Sequence, residues 1–191
     1  MRFQTAYLLL GRLITEAGDA GPDLRSSAVI ECYLAKAVEA VRQELAAHQG
    51  DTNGKPPLFS LEVEGAPQDL NPILRDEIYR IAGEALRNAF HHARARRVEV
   101  EIRYDTRQLR VRVRDDGIGI PADVIRQEGR LGHFGLRGMR EGAKAIGGQL
   151  EVWSEHGAGT EVQLTIPASV AYGSHPGRRF RLFTGKVEAN L

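Results

Sequence analysis

The sequence predicts an α/β (α+β) two-layer sandwich: a mixed, largely antiparallel sheet with helices on one face, preceded by two N-terminal helices. Three observations lead there. Residues 71–93 carry one long amphipathic helix pattern. Residues 98–114 and 149–166 each hold two period-two segments around a turn, the mark of a hairpin with one buried face. Glycine and proline clusters separate these units.

Taken in order, residues 2–16 place Phe3, Tyr7, Leu10 and Ile14 at helical spacing, and the turn-rich stretch 17–26 follows. Residues 27–48 are helical again, with Val29, Leu34, Val38, Val41 and Leu45 recurring every three to four positions or so. Asp51-Thr-Asn-Gly-Lys-Pro-Pro57 breaks that helix and sets the expected domain boundary, leaving residues 1–50 as a separate helical segment. Leu58 to Val63 alternates like a strand. Leu74, Ile78, Ile81, Ala82, Ala85, Ala89 and Ala93 then form one stripe of the long helix. Val98–Arg103 and Leu109–Arg114 flank a turn at Asp105-Thr106. Residues 115–136 are glycine-rich and aperiodic. Arg137–Ile146 reads as a helix stopped by Gly147-Gly148. Gln149–Ser154 and Thr160–Ile166 flank the Gly157-Ala-Gly159 turn, and Pro167 closes the sheet domain, 58–168. Residues 169–191, with Arg178, Arg179, Arg181 and Lys186, read as a basic, solvated tail.

Composition narrows the function. Twenty-six basic against 25 acidic side chains give a net charge of +1, which argues against a polybasic nucleic-acid binder. Cys32 is the only cysteine, so neither an intramolecular disulfide nor a cysteine metal cluster is expected; a cytoplasmic setting fits. The apolar run Ala6–Leu10 is too short to span a bilayer, and no signal peptide is legible.

Four motifs carry the chemistry. Glu84 and Asn88 stand four apart on one face of the long helix, with His91 and His92 following. Asp115-Asp116-Gly117-Ile-Gly119 ends a strand, where glycines let a flat ligand approach the backbone. Gly132-His-Phe-Gly135-Leu136 precedes a helix, whose first N–H groups attract phosphate. Gly157-Ala-Gly159-Thr160 opens the last strand. Each motif alone is ordinary: a solvated helix face, a turn, a helix start, a hairpin. Their order is specific, and it is neither a dinucleotide-binding fingerprint nor a Walker P-loop.

At these residues the chain resembles the GHKL ATPase superfamily of gyrase, Hsp90, MutL and sensor histidine kinases. The stretches Glu84-Ala-Leu-Arg-Asn-Ala-Phe-His-His-Ala93, Gly135-Leu-Arg-Gly-Met-Arg-Glu141 and Gly147-Gly-Gln-Leu-Glu-Val-Trp-Ser-Glu155 look like the nitrate-sensor, propeller-sensor type of two-component kinase. The resemblance covers residues 58–172 well and 27–57 loosely. It implies the GHKL (Bergerat) fold, with ATP between the helix layer and a lid at about residues 121–135. It also implies roles. Asp115 accepts from the adenine amino group, and Thr160 supports that contact. Gly117 and Gly119 give the purine room. Asn88 ligates Mg²⁺, and Glu84 is the general base. His91 and His92 contact phosphate, although Lys or Arg is more usual where His91 stands. Gly132, Gly135 and Leu136 form the hinge and end of the lid, while Gly157 and Gly159 shape the far wall.

The likeness also implies a phosphoacceptor histidine in an Asp-Leu-His-Asp-like stretch on an early helix. None of His48, His91, His92, His133, His156 and His175 stands in such a stretch. The chain is therefore expected to begin after the phosphorylation site, with residues 1–48 as the remains of a dimerisation hairpin. Two functions follow: a kinase domain acting on a full-length histidine kinase in trans, with a response regulator downstream, or a nucleotide-binding regulator that heterodimerises with such a kinase. A remnant without a role is the third possibility.

Overall fold

A computed structural model describes residues 33–49, 56–121, 124–125 and 134–172. Along the chain these form α1 (Tyr33–Gln49), β1 (Leu58–Glu64), α2 (Pro72–His91), β2 (Arg97–Tyr104), β3 (Gln108–Asp115), α3 (Phe134–Ala145), β4 (Gln149–Glu155), β5 (Gly159–Pro167) and the short α4 (Ala168–Ala171). The expected helix at 2–16, the connection at 17–26 and the tail beyond Tyr172 lie outside the described residues.

The sheet runs β1-β2-β3-β5-β4. β1 and β2 are parallel, joined by α2 as a crossover, and the other pairs are antiparallel. α2 starts cleanly because Asn71 caps it, its side chain accepting from the Ile73 N–H at 3.0 Å, and Pro72 needs no hydrogen-bond acceptor in the first turn. Its apolar stripe lies on the inner face of the sheet. Ile78, Leu86, Ile102, Leu109, Met139, Leu164 and Ile166 are almost wholly buried. Each such side chain contributes about 1.5–3 kcal/mol by leaving water.

The register fixes the site. Asp115 pairs with Val98 on one side and Thr160 on the other, and Val113 pairs with Val100 and Val162. Period two therefore turns Val113, Asp115, Thr160 and Val162 toward the helices. The opposite face is charged: the Glu101 carboxylate accepts from Arg110 at 2.8 Å and from Arg112.

Three expectations are revised. Leu34, Val38, Val41 and Leu45 of α1 belong to the same core as the sheet, and the Arg75 guanidinium of α2 lies 4.5 Å over the Tyr33 ring. α1 thus shares one core with the sheet instead of standing apart from it. α3 begins at Phe134 rather than Arg137. Glycine hides its first turn: Gly135 lies against the Glu84 carboxylate, and further along Gly142 lies against the Glu77 and Arg80 side chains of α2. Finally, residues 168–172 are not a loose tail. Ala171 is fully buried, and the Tyr172 hydroxyl accepts from the Asp105 N–H and donates to the Gln108 carbonyl, both at 3.2 Å. No helix among the described residues is long and apolar enough to cross a membrane.

Candidate functional site

A cleft of about 460 Å³ opens between α2, the end of β3, the loop after it, the start of β5 and the first turn of α3. Its walls are apolar: Ala85, Val113, Ile118, Leu136 and Val162. Polar groups sit at two ends. Glu84, Asn88 and His92 line it along α2, while Asp115 and Thr160 lie in the sheet.

Asp115 is the one buried charged residue among the described residues, 7% exposed. Burial pushes its carboxyl above the usual carboxylate range, opposed by the N–H groups of Gly117 and Thr160 and reinforced by Asp116. The Gly117 N–H donates to Asp115 Oδ1 at 2.9 Å. Asp116 points elsewhere: its Oδ1 accepts from the Arg96 and Arg97 N–H groups, both at 2.7 Å. The Arg97 N–H foremost holds its carboxyl below the ordinary range. Adjacent strand residues face opposite sides, so one carboxylate enters the cleft while the other ties the chain entering β2.

The glycines of the loop after β3 are packed against backbone. A Cβ on Gly117 would lie 2.2 Å from the Ala93 carbonyl oxygen, and one on Gly119, at φ +71°, 2.1 Å from that of Glu155. Both glycines thus let backbone pack closely behind the loop, and Gly119 itself lines the cleft. The loop is then stapled on both sides: the Ile118 N–H donates to the Ala93 carbonyl and the Gly157 N–H to the Ile118 carbonyl, both at 2.8 Å. Gly157 and Gly159 do not line the cleft. They form the β4–β5 turn behind Asp115, where a Cβ on Gly159 would meet the Asp115 carbonyl oxygen at 2.0 Å.

Glu84 is paired within α2, accepting from the Arg87 Nη2 at 2.9 Å. Both histidines are exposed, but only His92 lines the cleft, the His91 ring lying 6.5 Å from that of His92. Three residues from Asn88, His91 is about 60° round the helix from the Asn88–His92 line. Gly135 and Leu136 line the cleft; Gly132 lies outside the described residues. The motifs did not single out Ser154, whose hydroxyl accepts from the Ile120 N–H at 2.7 Å and donates to the Gly159 carbonyl at 2.8 Å. Alternation was the available signal: Ser154 shares the inner face of β4 with Leu150 and Val152, where a hydroxyl needs partners.

Comparison with known proteins bears on this cleft. The family model of histidine kinase-, DNA gyrase B- and HSP90-like ATPases matches residues 74–170, just over half of the chain. The sensor histidine kinase LiaS of Bacillus subtilis is 35% identical over 109 residues, 56% of this chain and 29% of LiaS. The nitrate/nitrite sensor protein NarX of Escherichia coli is 35% identical over 89 residues, 47% of this chain and 14% of NarX. The matched region thus spans under a third of either relative. Among solved structures, the blue-light activated histidine kinase of Erythrobacter litoralis superposes with a TM-score of 0.55 at 28% identity, covering 73% of this chain and 42% of that one. The chain belongs to the family of histidine kinase-, DNA gyrase B- and HSP90-like ATPases, and it carries the ATP-binding domain of a sensor histidine kinase.

Proposed function

We propose that this domain binds Mg-ATP in the cleft and transfers its γ-phosphoryl group to a histidine other than the six in this sequence. The observation that carries this reading is the division of the cleft: a buried carboxylate at the sheet end, and a row of Glu84, Asn88 and His92 along α2. The first suits an exocyclic amino group, and the second suits phosphates and a reacting centre.

In this reading Asp115 accepts from the adenine amino group, with Thr160 beside it. The apolar walls hold the ring. His92 contacts phosphate, and Gly135 and Leu136 close the lid end together with Gly132. An imidazole nitrogen of the acceptor attacks the γ-phosphorus, and the bond to the bridging oxygen of ADP breaks. Glu84 takes the imidazole proton, so the product is phosphohistidine plus ADP. The residues present suit a magnesium ion that arrives with the nucleotide. The described residues include no cluster of three or more carboxylate, histidine or cysteine ligands, and Asn88 offers one hard oxygen in the cleft. Asn88 would hold that ion, which when bound neutralises charge on the phosphate oxygens.

None of the six histidines of this sequence stands in an acidic phosphoacceptor stretch, so the acceptor is proposed to be a histidine outside it. A full-length sensor kinase is the proposed partner, with a response regulator downstream. The apolar side of α1 is already buried against the core, so residues 33–48 have little left for a dimer seam.

The test is labelling with γ-phosphate-labelled Mg-ATP, on the chain alone and mixed with an acceptor-bearing relative, with Asp115→Ala as control. Label on the relative only, lost in the control, is expected. Label on this chain alone would overturn the assignment of the acceptor. ATP bound in a parallel titration with no label anywhere would turn the reading to a nucleotide-binding regulator. Asp115→Ala itself should weaken ATP binding about tenfold to a hundredfold, the range for a charged hydrogen bond.

A further inference from the structure

The hydroxyl of Ser154 sits at the junction of three segments. It accepts from the Ile120 N–H at 2.7 Å, in the loop after β3. It lies 2.8 Å from the Gly159 carbonyl oxygen, in the β4–β5 turn. It lies 2.9 Å from Thr160 Oγ1, at the start of β5. A hydroxyl has one hydrogen and two lone pairs. The Gly159 carbonyl can only accept, so the Ser154 hydrogen belongs to that bond; placed elsewhere, two lone-pair oxygens would face each other at 2.8 Å. The Ile120 N–H can only donate and takes one lone pair. The contact to Thr160 is then left with one solution: Thr160 donates and Ser154 accepts.

This count fixes a rotor. The Thr160 hydrogen points to Ser154, so only lone pairs of Thr160 Oγ1 remain for the cleft. Its neighbour Asp115 receives the N–H groups of Gly117 and Thr160 and also faces the cleft with oxygen. We infer that Ser154 is a positioning residue for nucleotide selection: by holding the Thr160 hydroxyl as an acceptor, it makes the base end of the cleft present acceptors only, which selects a 6-amino over a 6-oxo purine. The inference rests on the proposed placement of the base at Asp115. A 6-oxo purine would set its carbonyl oxygen against these lone pairs and leave them unpaired, the arrangement that discriminates most strongly in a closed site. Without Ser154, the Thr160 hydroxyl can rotate and donate to that carbonyl.

The experiment is a titration of the full chain with adenosine triphosphate and inosine triphosphate, read as the ratio of their dissociation constants. The wild type is expected to prefer adenosine triphosphate. Ser154→Ala should lower the preference about threefold to tenfold, the scale of one neutral hydrogen bond. Ser154→Thr, which keeps a hydroxyl on a strand-compatible side chain, should restore it. Thr160→Val should lower it similarly, and adding Ser154→Ala to Thr160→Val should change it no further. If Ser154→Ala weakens both nucleotides equally, Ser154 merely braces the loop and the inference falls while the adenine reading stands. If Ser154→Ala does not fold, Thr160→Val decides alone, and an unchanged ratio there overturns the inference. A wild type that binds both nucleotides equally, or neither, overturns the adenine reading and this inference with it.

Discussion

The sheet end and the helix end of the cleft are built by different means. At the sheet end the backbone does most of the work. Asp115, Thr160 and the loop after β3 are held by N–H groups, carbonyls and one serine hydroxyl, and Gly117, Gly119 and Gly159 let main chain approach main chain. At the helix end, side chains of α2 project from an ordinary helical face, and the Glu84–Arg87 pair is the bond that orders them. In the proposed reading, recognition of the base is thus set by the fold, whereas handling of charge is set by replaceable side chains. Damage to the first should break the protein or its choice of base. Damage to the second should leave a folded protein that binds and does not react.

The largest effect is expected from breaking the sheet end through its backbone. Gly159 has φ +94°, and any Cβ there would strike the Asp115 carbonyl. Gly159→Ala combines a disfavoured backbone with a main-chain clash and should cost about 3–5 kcal/mol in urea denaturation. An effect below about 1 kcal/mol would mean the turn relaxes easily. Glu84→Gln tests the other side. Phosphoryl transfer to an added acceptor should fall about 10²–10⁴-fold, while the ATP dissociation constant moves little. If affinity falls with rate, the two ends are not separable.

A smaller effect sharpens the helix end. His92→Ala should weaken ATP binding several-fold, and His91→Ala should leave it unchanged, because only His92 lines the cleft. Equal losses would place His91 in the site as well. The smallest effect concerns Asp116, outside the cleft. Its carboxyl is held below its ordinary value of 3.8 by the Arg97 and Arg96 N–H groups. A depressed carboxyl stabilises the fold above its unfolded-state value and loses that contribution as pH falls through the folded-state value. Asp116→Ala should therefore be less stable than wild type at neutral pH, with the gap closing below pH 3.8. A gap that stays constant down to acid pH would show that the charge contributes nothing.

Much of this was legible in the sequence where one physical signal dominates. The stripe of α2 and the alternation of β2, β3 and β5 report burial directly, so those elements were found within one or two residues. The family resemblance picked Asp115 over Asp116, and the register of β3 supplies the physical reason. Other features were hidden because their cause lies far away in sequence. Gly135 read as part of a loop before the helix, yet it lies within α3, against the polar side chains of α2. Gly117 looks like space for a ligand until Ala93 is placed beside it. Residues 168–172 show no period, because one turn capped by a tyrosine is too short to have one. The position of α1 in the core could not be read from α1, whose stripe would serve a dimer seam equally well.

The connection between β3 and α3 has anchored ends. β3 is held between β2 and β5 in mid-sheet, and the Arg80 guanidinium of α2 donates to the Gly138 carbonyl of α3 at 2.9 Å. A loop between fixed ends gains closure entropy only with the logarithm of its length, and doubling it adds about 0.6 kcal/mol. Insertions made beyond the stapled part, which ends at Ile120, should scarcely register in the melting behaviour of the domain.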